Sequence, residues 1–120
     1  MDKIDYLRQN GVDIDTSLSN LIDIETYNEL LDEFYTGLDE QYLNIKGFKD
    51  KCDMQNYSIL VHAMKSNART FGFNKLGDIS YNHELKSKEN DLNYVNEHFN
   101  EFESALNEVK TIINNYKKML

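Results

Sequence analysis

Residues 25–49 read ETYNELLDEFYTGLDEQYLNIKGFK, and the spacing of their apolar side chains decides the fold. A glycine at position 37 lowers the stability of a helix by about 1 kcal/mol relative to alanine, so we expect that Gly37 is kept for a close backbone contact. The segment predicts one long helix with an apolar stripe that faces a core, because its apolar residues recur every three or four positions. These residues are Tyr27, Leu30, Leu31, Phe34, Leu38, Ile45 and Phe48.

N-terminal to this segment, the sequence indicates only one short helix. It spans about 16–22, with Asp15 or Thr16 as its N-cap, since both side chains can accept a hydrogen bond from a free amide. Residues 1–15 are predicted to be a lead-in segment that packs loosely.

Three more helices are predicted C-terminal to the long helix over 25–49. Short connections between long amphipathic helices imply antiparallel neighbours. We therefore expect an all-α protein, an antiparallel up-down four-helix bundle with a short extra N-terminal helix, forming one domain over 1–120. The predicted spans are 54–71, capped by Asp53 and ended by Gly72, then 75–86, capped by Asn74 and followed by the turn KSKEND, and last the segment after Asp91.

Composition excludes several classes of function. The formal net charge of -8 argues against binding a nucleic-acid backbone, which needs a basic surface. No apolar run approaches the roughly 20 residues of a membrane span, and MDKIDYLRQN lacks the apolar region of a signal peptide. Cys52 is the single cysteine and sits in a predicted loop, so a reducing, cytoplasmic setting is the simpler interpretation.

The helix predicted over 54–71 carries a histidine on its polar side. At 100° per residue, Tyr57, Leu60, Val61, Met64, Ala68 and Phe71 form the core side. The opposite side holds Gln55, Ser58, Ile59, His62, Lys65, Ser66 and Arg69. His62 therefore faces solvent, with Lys65 and Ser66 one turn away.

A solvated histidine is largely neutral at cellular pH, so its ring nitrogen is available as a nucleophile. A phosphoryl group on His62 would carry close to two negative charges, which Lys65 could screen. An exposed histidine beside a lysine is also common on an ordinary helix surface. Residue chemistry alone leaves both interpretations open.

The segment 59–85 closely resembles the histidine-containing phosphotransfer (HPt) domain. The HPt pattern reads roughly H-x-[LM]-K-[GS]-x-[AS]-x-x-x-G-[AF]-x-x-L, followed by a glutamate or glutamine. The sequence meets it with His62, Met64, Lys65, Ser66, Ala68, Gly72, Phe73 and Leu76, and with Glu84 at the later acidic position. The resemblance is weaker over 11–35, and the last helix matches only in length and periodicity.

This resemblance implies a phosphorelay carrier in two-component signalling, with no kinase or nucleotide-binding motif of its own. His62 would accept a phosphoryl group on Nε2 from a receiver-domain aspartate or a kinase, and pass it to another receiver. Lys65 would stabilise the phosphoryl charge, and Glu84 would accept a hydrogen bond from His62 Nδ1. Mg²⁺ would belong to the partner receiver, and this chain would bind no cofactor or metal.

The remaining implied roles concern packing and docking. Ile59, Ser66 and Arg69 would contribute to the docking face for the receiver. Ala68, Gly72 and Leu76 would let the next helix pack back on this one. Ser66 stands where glycine is commonest in the family, a small change that we expect to be tolerated.

Two histidines lie outside the pattern. His83 falls where the family usually has an apolar residue, so it is either half-buried or a sign that its helix is rotated, in which case the Glu84 assignment fails first. For both His83 and His98 we favour a surface or helix-flank position. No residue three positions before a histidine is a glutamate, as a carboxylate-bridged metal site would need.

Two alternatives stay open. The chain could be a helical adaptor that binds a receiver or another protein without phosphotransfer. It could also be a domain of a larger hybrid kinase, although Met1 and the lack of a linker favour a free-standing protein. We expect a monomer, because a bundle with one phosphoacceptor does not require a dimer.

Overall fold

The structure is a computed structural model that describes residues 2–21 and 23–120, and every regular element in those ranges is a helix. The all-α prediction is therefore confirmed for the described chain. None of these helices is both long enough and apolar enough to cross a bilayer. The helices are α1 (Lys3–Gln9), α2 (Ile14–Leu21), α3 (Ile24–Asp50), α4 (Met54–Thr70), α5 (Asn74–Lys88) and α6 (Leu92–Lys117).

Aspartate side chains begin three of the four long helices. Asp23 accepts a hydrogen bond from the Thr26 amide at 2.7 Å. Asp53 and Asp91 cap α4 and α6 in the same way, which confirms the predicted cap at Asp53 and the predicted start of the last helix after Asp91. These starts are readable from the sequence because the capping bond joins residues only three positions apart.

The start of α5 differs from the prediction. Asn74 is already its first helical residue, and Phe73 occupies the cap position without a side-chain hydrogen bond. Phe73 is buried, and its amide donates to Ala68 O at 2.8 Å, so the chain turns back before Asn74 can act as a cap. The predicted cap at Asn74 is wrong for this reason.

The long helices pack around a common apolar core. The stripe predicted on α3 faces it: Tyr27, Leu31, Phe34, Leu38 and Ile45 are buried, and Leu30 and Phe48 are partly buried. The expected close backbone contact at Gly37 is absent, since a Cβ there would meet only the flexible end of Gln41, at 3.4 Å.

Polar contacts between helices show their relative direction. Tyr42 and Asp32 on α3 bond to Glu103 and Lys117 on α6, so these two helices run antiparallel. The pairs His62–Glu84 and Arg69–Asp78 give α4 and α5 the same relation. This relation brings the middle of α4 opposite the second half of α5.

The N-terminal segment is well packed, contrary to the predicted loose lead-in. It contains α1, whose Leu7 is completely buried, and the buried Val12 and Ile14 follow. Tyr6 Oη accepts a hydrogen bond from Asn115 Nδ2 at 3.0 Å, which ties α1 to the end of α6. The sequence did not predict this packing because α1 has only one fully buried side chain, and one side chain cannot form an apolar stripe.

The predicted caps of α2 are also wrong. The helix begins at Ile14, and the Thr16 amide donates to Asp13 Oδ1 at 3.4 Å. Asp15 instead accepts a hydrogen bond from Arg8 at 2.8 Å. The predicted end at Ile22 lies outside the described residues.

Gly72 joins the N-terminal segment to the corner between α4 and α5. Its φ of 87° is in the left-handed region, and its carbonyl accepts a hydrogen bond from the Asp13 amide at 3.0 Å. A Cβ at this position would lie 2.7 Å from Asp13 O, so only glycine fits both the turn and the contact. Tyr27 Oη donates to Phe71 O at 2.9 Å and fixes the same corner.

Candidate functional site

His62 lies in the middle of α4 with a side chain that is 55% exposed. Its position follows from the opposite face of the helix, where Val61 and Met64 are completely buried. The predicted solvent-facing position of His62 is confirmed. The predicted position of Ser58 on the polar side of the helix is wrong, because Ser58 is buried and donates a hydrogen bond to Gln55 O at 2.7 Å.

Glu84 of α5 reaches across to this histidine. One carboxylate oxygen, Oε2, lies 2.7 Å from His62 Nδ1. Since an ionised carboxylate can only accept, the Nδ1 atom carries the proton and donates it. In the neutral ring, Nε2 then holds the lone pair. This is the relation between His62 and Glu84 that the resemblance implied.

The Glu84 carboxylate is itself nearly buried, with 4% of the side chain exposed. Its oxygens accept hydrogen bonds from three cationic or potentially cationic groups: Lys65 at 2.6 Å, His62 at 2.7 Å and Lys88 at 2.9 Å. Burial raises the pKa of the Glu84 carboxyl, but these bonds outweigh it and lower that pKa to about 2. Glu84 is therefore a fixed negative charge at any physiological pH.

Lys65 contacts Glu84 rather than standing free beside the histidine. Its side chain is 15% exposed, and Nζ lies 2.6 Å from Glu84 Oε1. The same ammonium group lies 5.1 Å from the centre of the Tyr81 ring. Two contacts on one nearly buried side chain make Lys65 a support for the carboxylate.

Lys88 is a member of the site that the sequence interpretation missed. The segment KSKEND was predicted to be a turn after residue 86, but α5 continues through Lys88. Lys88 therefore lies one helical turn after Glu84, and its Nζ reaches Oε2, the oxygen that also bonds His62. The four-residue spacing from Glu84 was the available signal, because such pairs meet on a helix surface.

The residues predicted for docking lie on the same side of the molecule. Ile59 lies one turn before His62 and is 58% exposed, and Ser66 lies one turn after His62 and is also exposed. Arg69 is paired with Asp78 at 3.2 Å and lies over the Tyr81 ring.

Leu85 and Tyr81 of α5 add exposed apolar surface that sequence reasoning did not identify. Ile59, Leu85 and Tyr81 are the exposed large apolar side chains of the two helices that carry His62 and Glu84.

The three motif residues with predicted packing roles are all buried. Ala68 and Leu76 belong to the core, and Gly72 forms the turn described above. Gly77 of α5 also belongs to this contact, since a Cβ there would lie 2.7 Å from Arg69 Cγ. The small residues let α4 and α5 approach closely enough for Glu84 to reach His62.

His83 is buried, which corrects the predicted surface or helix-flank position. The His98 carbonyl can only accept, so His83 Nε2 donates to it at 3.1 Å, and Tyr57 Oη donates to Nδ1 at 2.8 Å. Burial lowers the pKa of this histidine. Glu84 keeps its place beside His62 although the preceding residue is a buried histidine, so the rotation that would have displaced Glu84 does not occur.

The other candidates lie away from this cluster. His98 is about one-third exposed and stacks on Tyr94 with ring centres 4.1 Å apart, in line with a helix-flank position. Cys52 is exposed in the α3–α4 turn, as expected for a loop cysteine. In the described chain, no three His, Cys, Asp or Glu side chains are grouped as a metal ion would require.

Comparisons of the chain with protein-family models, with curated proteins and with solved structures found no match. The chemistry of the His62 site is therefore what indicates a function. That chemistry is an exposed ring nitrogen with a lone pair, a buried carboxylate on the other ring nitrogen, and two lysines within 3 Å of that carboxylate.

Proposed function

We propose that the protein is a phosphorelay carrier of the HPt kind, in which His62 accepts a phosphoryl group and passes it on. The observation that supports this most strongly is the 2.7 Å contact between Glu84 Oε2 and His62 Nδ1. It fixes the proton on Nδ1 and leaves Nε2 free to attack. We also infer that α3 to α6 form the antiparallel up-down four-helix bundle expected of such a carrier, with α1 and α2 as additions.

The transfer step uses the charge of Glu84. The Nε2 lone pair attacks the phosphorus of an aspartyl phosphate, and the bond from phosphorus to the donor carboxylate oxygen breaks. The ring keeps its Nδ1 proton and becomes cationic, while the donor leaves as a free carboxylate. Glu84 balances the new positive charge on the ring, and the interaction is strongest when that charge has formed. The same chemistry in reverse then transfers the phosphoryl group from His62 to the aspartate of a second receiver.

The partner would be the receiver domain of a response regulator or of a hybrid kinase, and it would supply the aspartate and the Mg²⁺ ion. A kinase could replace the receiver as donor. Ile59, Leu85 and Tyr81 would form the apolar centre of the docking face, with Ser66 and Arg69 near its edge. We place this activity in the cytoplasm, with the protein acting as a monomer.

Transfer of a radiolabelled phosphoryl group from a phosphorylated receiver domain tests the proposal. The wild type is expected to acquire an acid-labile, alkali-stable label, and His62→Gln is expected to acquire none. His98→Gln is the matched control, because His98 lies outside the cluster, and it is expected to label like the wild type. Label that persists in His62→Gln would contradict the assignment of the acceptor.

The second candidate function is an adaptor that binds a receiver without phosphotransfer. The observation behind it is the exposure of Ile59, Leu85 and Tyr81, since exposed apolar side chains can bind a partner whether or not phosphotransfer follows. Receiver binding that persists in His62→Gln, with no label on the wild type from several receivers, would support the adaptor.

A further inference from the structure

Two lysines share one carboxylate beside His62, and they differ in how firmly they are held. Lys65 Nζ is 2.6 Å from Glu84 Oε1, and its side chain is 15% exposed. Lys88 Nζ is 2.9 Å from Oε2, and its side chain is 59% exposed. Lys65 has a second contact with the Tyr81 ring, whereas the contact with Glu84 is the only ion pair that the described residues give Lys88.

The charges at this cluster favour an incoming anion. Lys65 and Lys88 contribute two positive charges and Glu84 one negative charge, so a net positive charge lies beside His62 in a chain of net charge -8. A phosphoryl group on the ring adds close to two negative charges. Lys88 has the more exposed side chain and can turn toward this group, because the nearly buried Lys65 is needed to keep Glu84 paired.

We propose that Lys88 is a catalytic residue of the His62 site and the cation that contacts the phosphoryl group, while Lys65 serves to hold Glu84. Lys88 reaches the carboxylate oxygen bonded to the ring and moves from it to the phosphoryl oxygens as the group arrives. This inference rests on the proposed function, but it concerns a residue outside the motif pattern, and it reverses the role expected for Lys65.

Phosphoramidate, a small phosphoryl donor, tests the inference without a receiver. The His62 Nε2 lone pair attacks phosphorus, the P–N bond of the zwitterionic donor breaks, and ammonia leaves with its three protons. The ring keeps its Nδ1 proton and becomes cationic, so charge and atoms balance. The measured quantities are the rate of phosphohistidine formation on the full chain and the half-life of the product.

Lys88→Gln is compared with Lys88→Arg and with Lys86→Gln. Lys86 is the matched control, because it lies in the same last turn of α5 but pairs with Glu89 instead of Glu84. A lost cation contact of about 1 kcal/mol predicts a roughly five-fold slower phosphorylation of Lys88→Gln. Lys88→Arg is expected to restore most of the rate, and Lys86→Gln to leave it unchanged. Thermal unfolding of each variant shows that the fold is intact.

Two results would overturn the inference: a wild-type rate in Lys88→Gln, or equal losses in Lys88→Gln and Lys86→Gln, which would indicate a general effect of charge at the end of the helix. A large loss in Lys65→Gln alone would return the role to Lys65. Failure of the relay itself is distinguishable. In that case no receiver labels the wild type, although phosphoramidate labels His62 and the rate still depends on Lys88.

Discussion

Replacing Glu84 by glutamine removes the charge at the centre of the site and keeps the size of the side chain. The Glu84 carboxyl has its pKa lowered from 4.5 to about 2 by its bonds to Lys65, Lys88 and His62, against the opposing effect of burial. A lowered pKa in the folded state means that the stabilisation is complete above pH 4.5 and is lost as the pH falls toward 2. The change in pKa corresponds to about 3 kcal/mol at most.

Solvent reduces that figure. Two of the three partners, His62 and Lys88, are more than half exposed, so screening brings the expected contribution nearer to about 2 kcal/mol. The assay is urea unfolding of the wild type and Glu84→Gln at a series of pH values from 7 to 2, where each midpoint and slope give the free energy of unfolding. The difference between the two proteins is expected to shrink as the pH falls below 4.5.

The comparison isolates Glu84, because the other carboxylates with lowered pKa values are present in both proteins and cancel. They are Asp15, Asp23, Asp50 and Asp53. Parallel stability curves from pH 7 to pH 2 would refute the reasoning, since they would mean that Glu84 gains nothing from its three partners.

Three further predictions concern the fold. Gly72→Ala is expected to cost about 2 kcal/mol or more in urea unfolding, because φ is 87° and the new Cβ would meet Asp13 O at 2.7 Å; an unchanged midpoint would contradict that contact. Leu7→Ala is expected to cost about 2–5 kcal/mol, whereas a loosely attached α1 would show almost no loss in the same assay. Burial lowers the pKa of His83, so the wild type should lose up to about 1.4 kcal/mol per pH unit as the pH falls below 6.5, and His83→Gln should not; equal slopes in both proteins would exclude His83 as the cause.

The sequence predicted those parts of the fold that depend on neighbours along the chain. The predicted features are the cap at Asp53, the start of α6 after Asp91 and the apolar stripe of α3, and each depends on residues that lie within one or two helical turns of each other. The packing of α1 was missed because it depends on contacts with distant residues, such as the bond from Asn115 to Tyr6. The predicted end of α5 at residue 86 was too early, because the serine and lysine residues that follow carry no apolar periodicity.

The residues of the His62 site also divide into those that depend on neighbours along the chain and those that depend on distant contacts. His62 and Lys65 could be placed from the helical period of α4, and Glu84 only from the resemblance, since its contact joins two helices. Lys88 was missed because its helical turn was predicted to be a loop. The burial of His83 could not be seen from α5 alone, because Tyr57 and His98 belong to α4 and α6.

The most direct test of the central claim is to locate the phosphoryl group on the labelled protein. Nitrogen and phosphorus NMR of the chain after transfer from a phosphorylated receiver distinguishes the two ring nitrogens and the three histidines. We predict a single phosphoryl group on Nε2 of His62, with the proton retained on Nδ1 beside Glu84. A phosphoryl group on Nδ1, on His83 or on His98, or no phosphohistidine at all, would contradict the proposal.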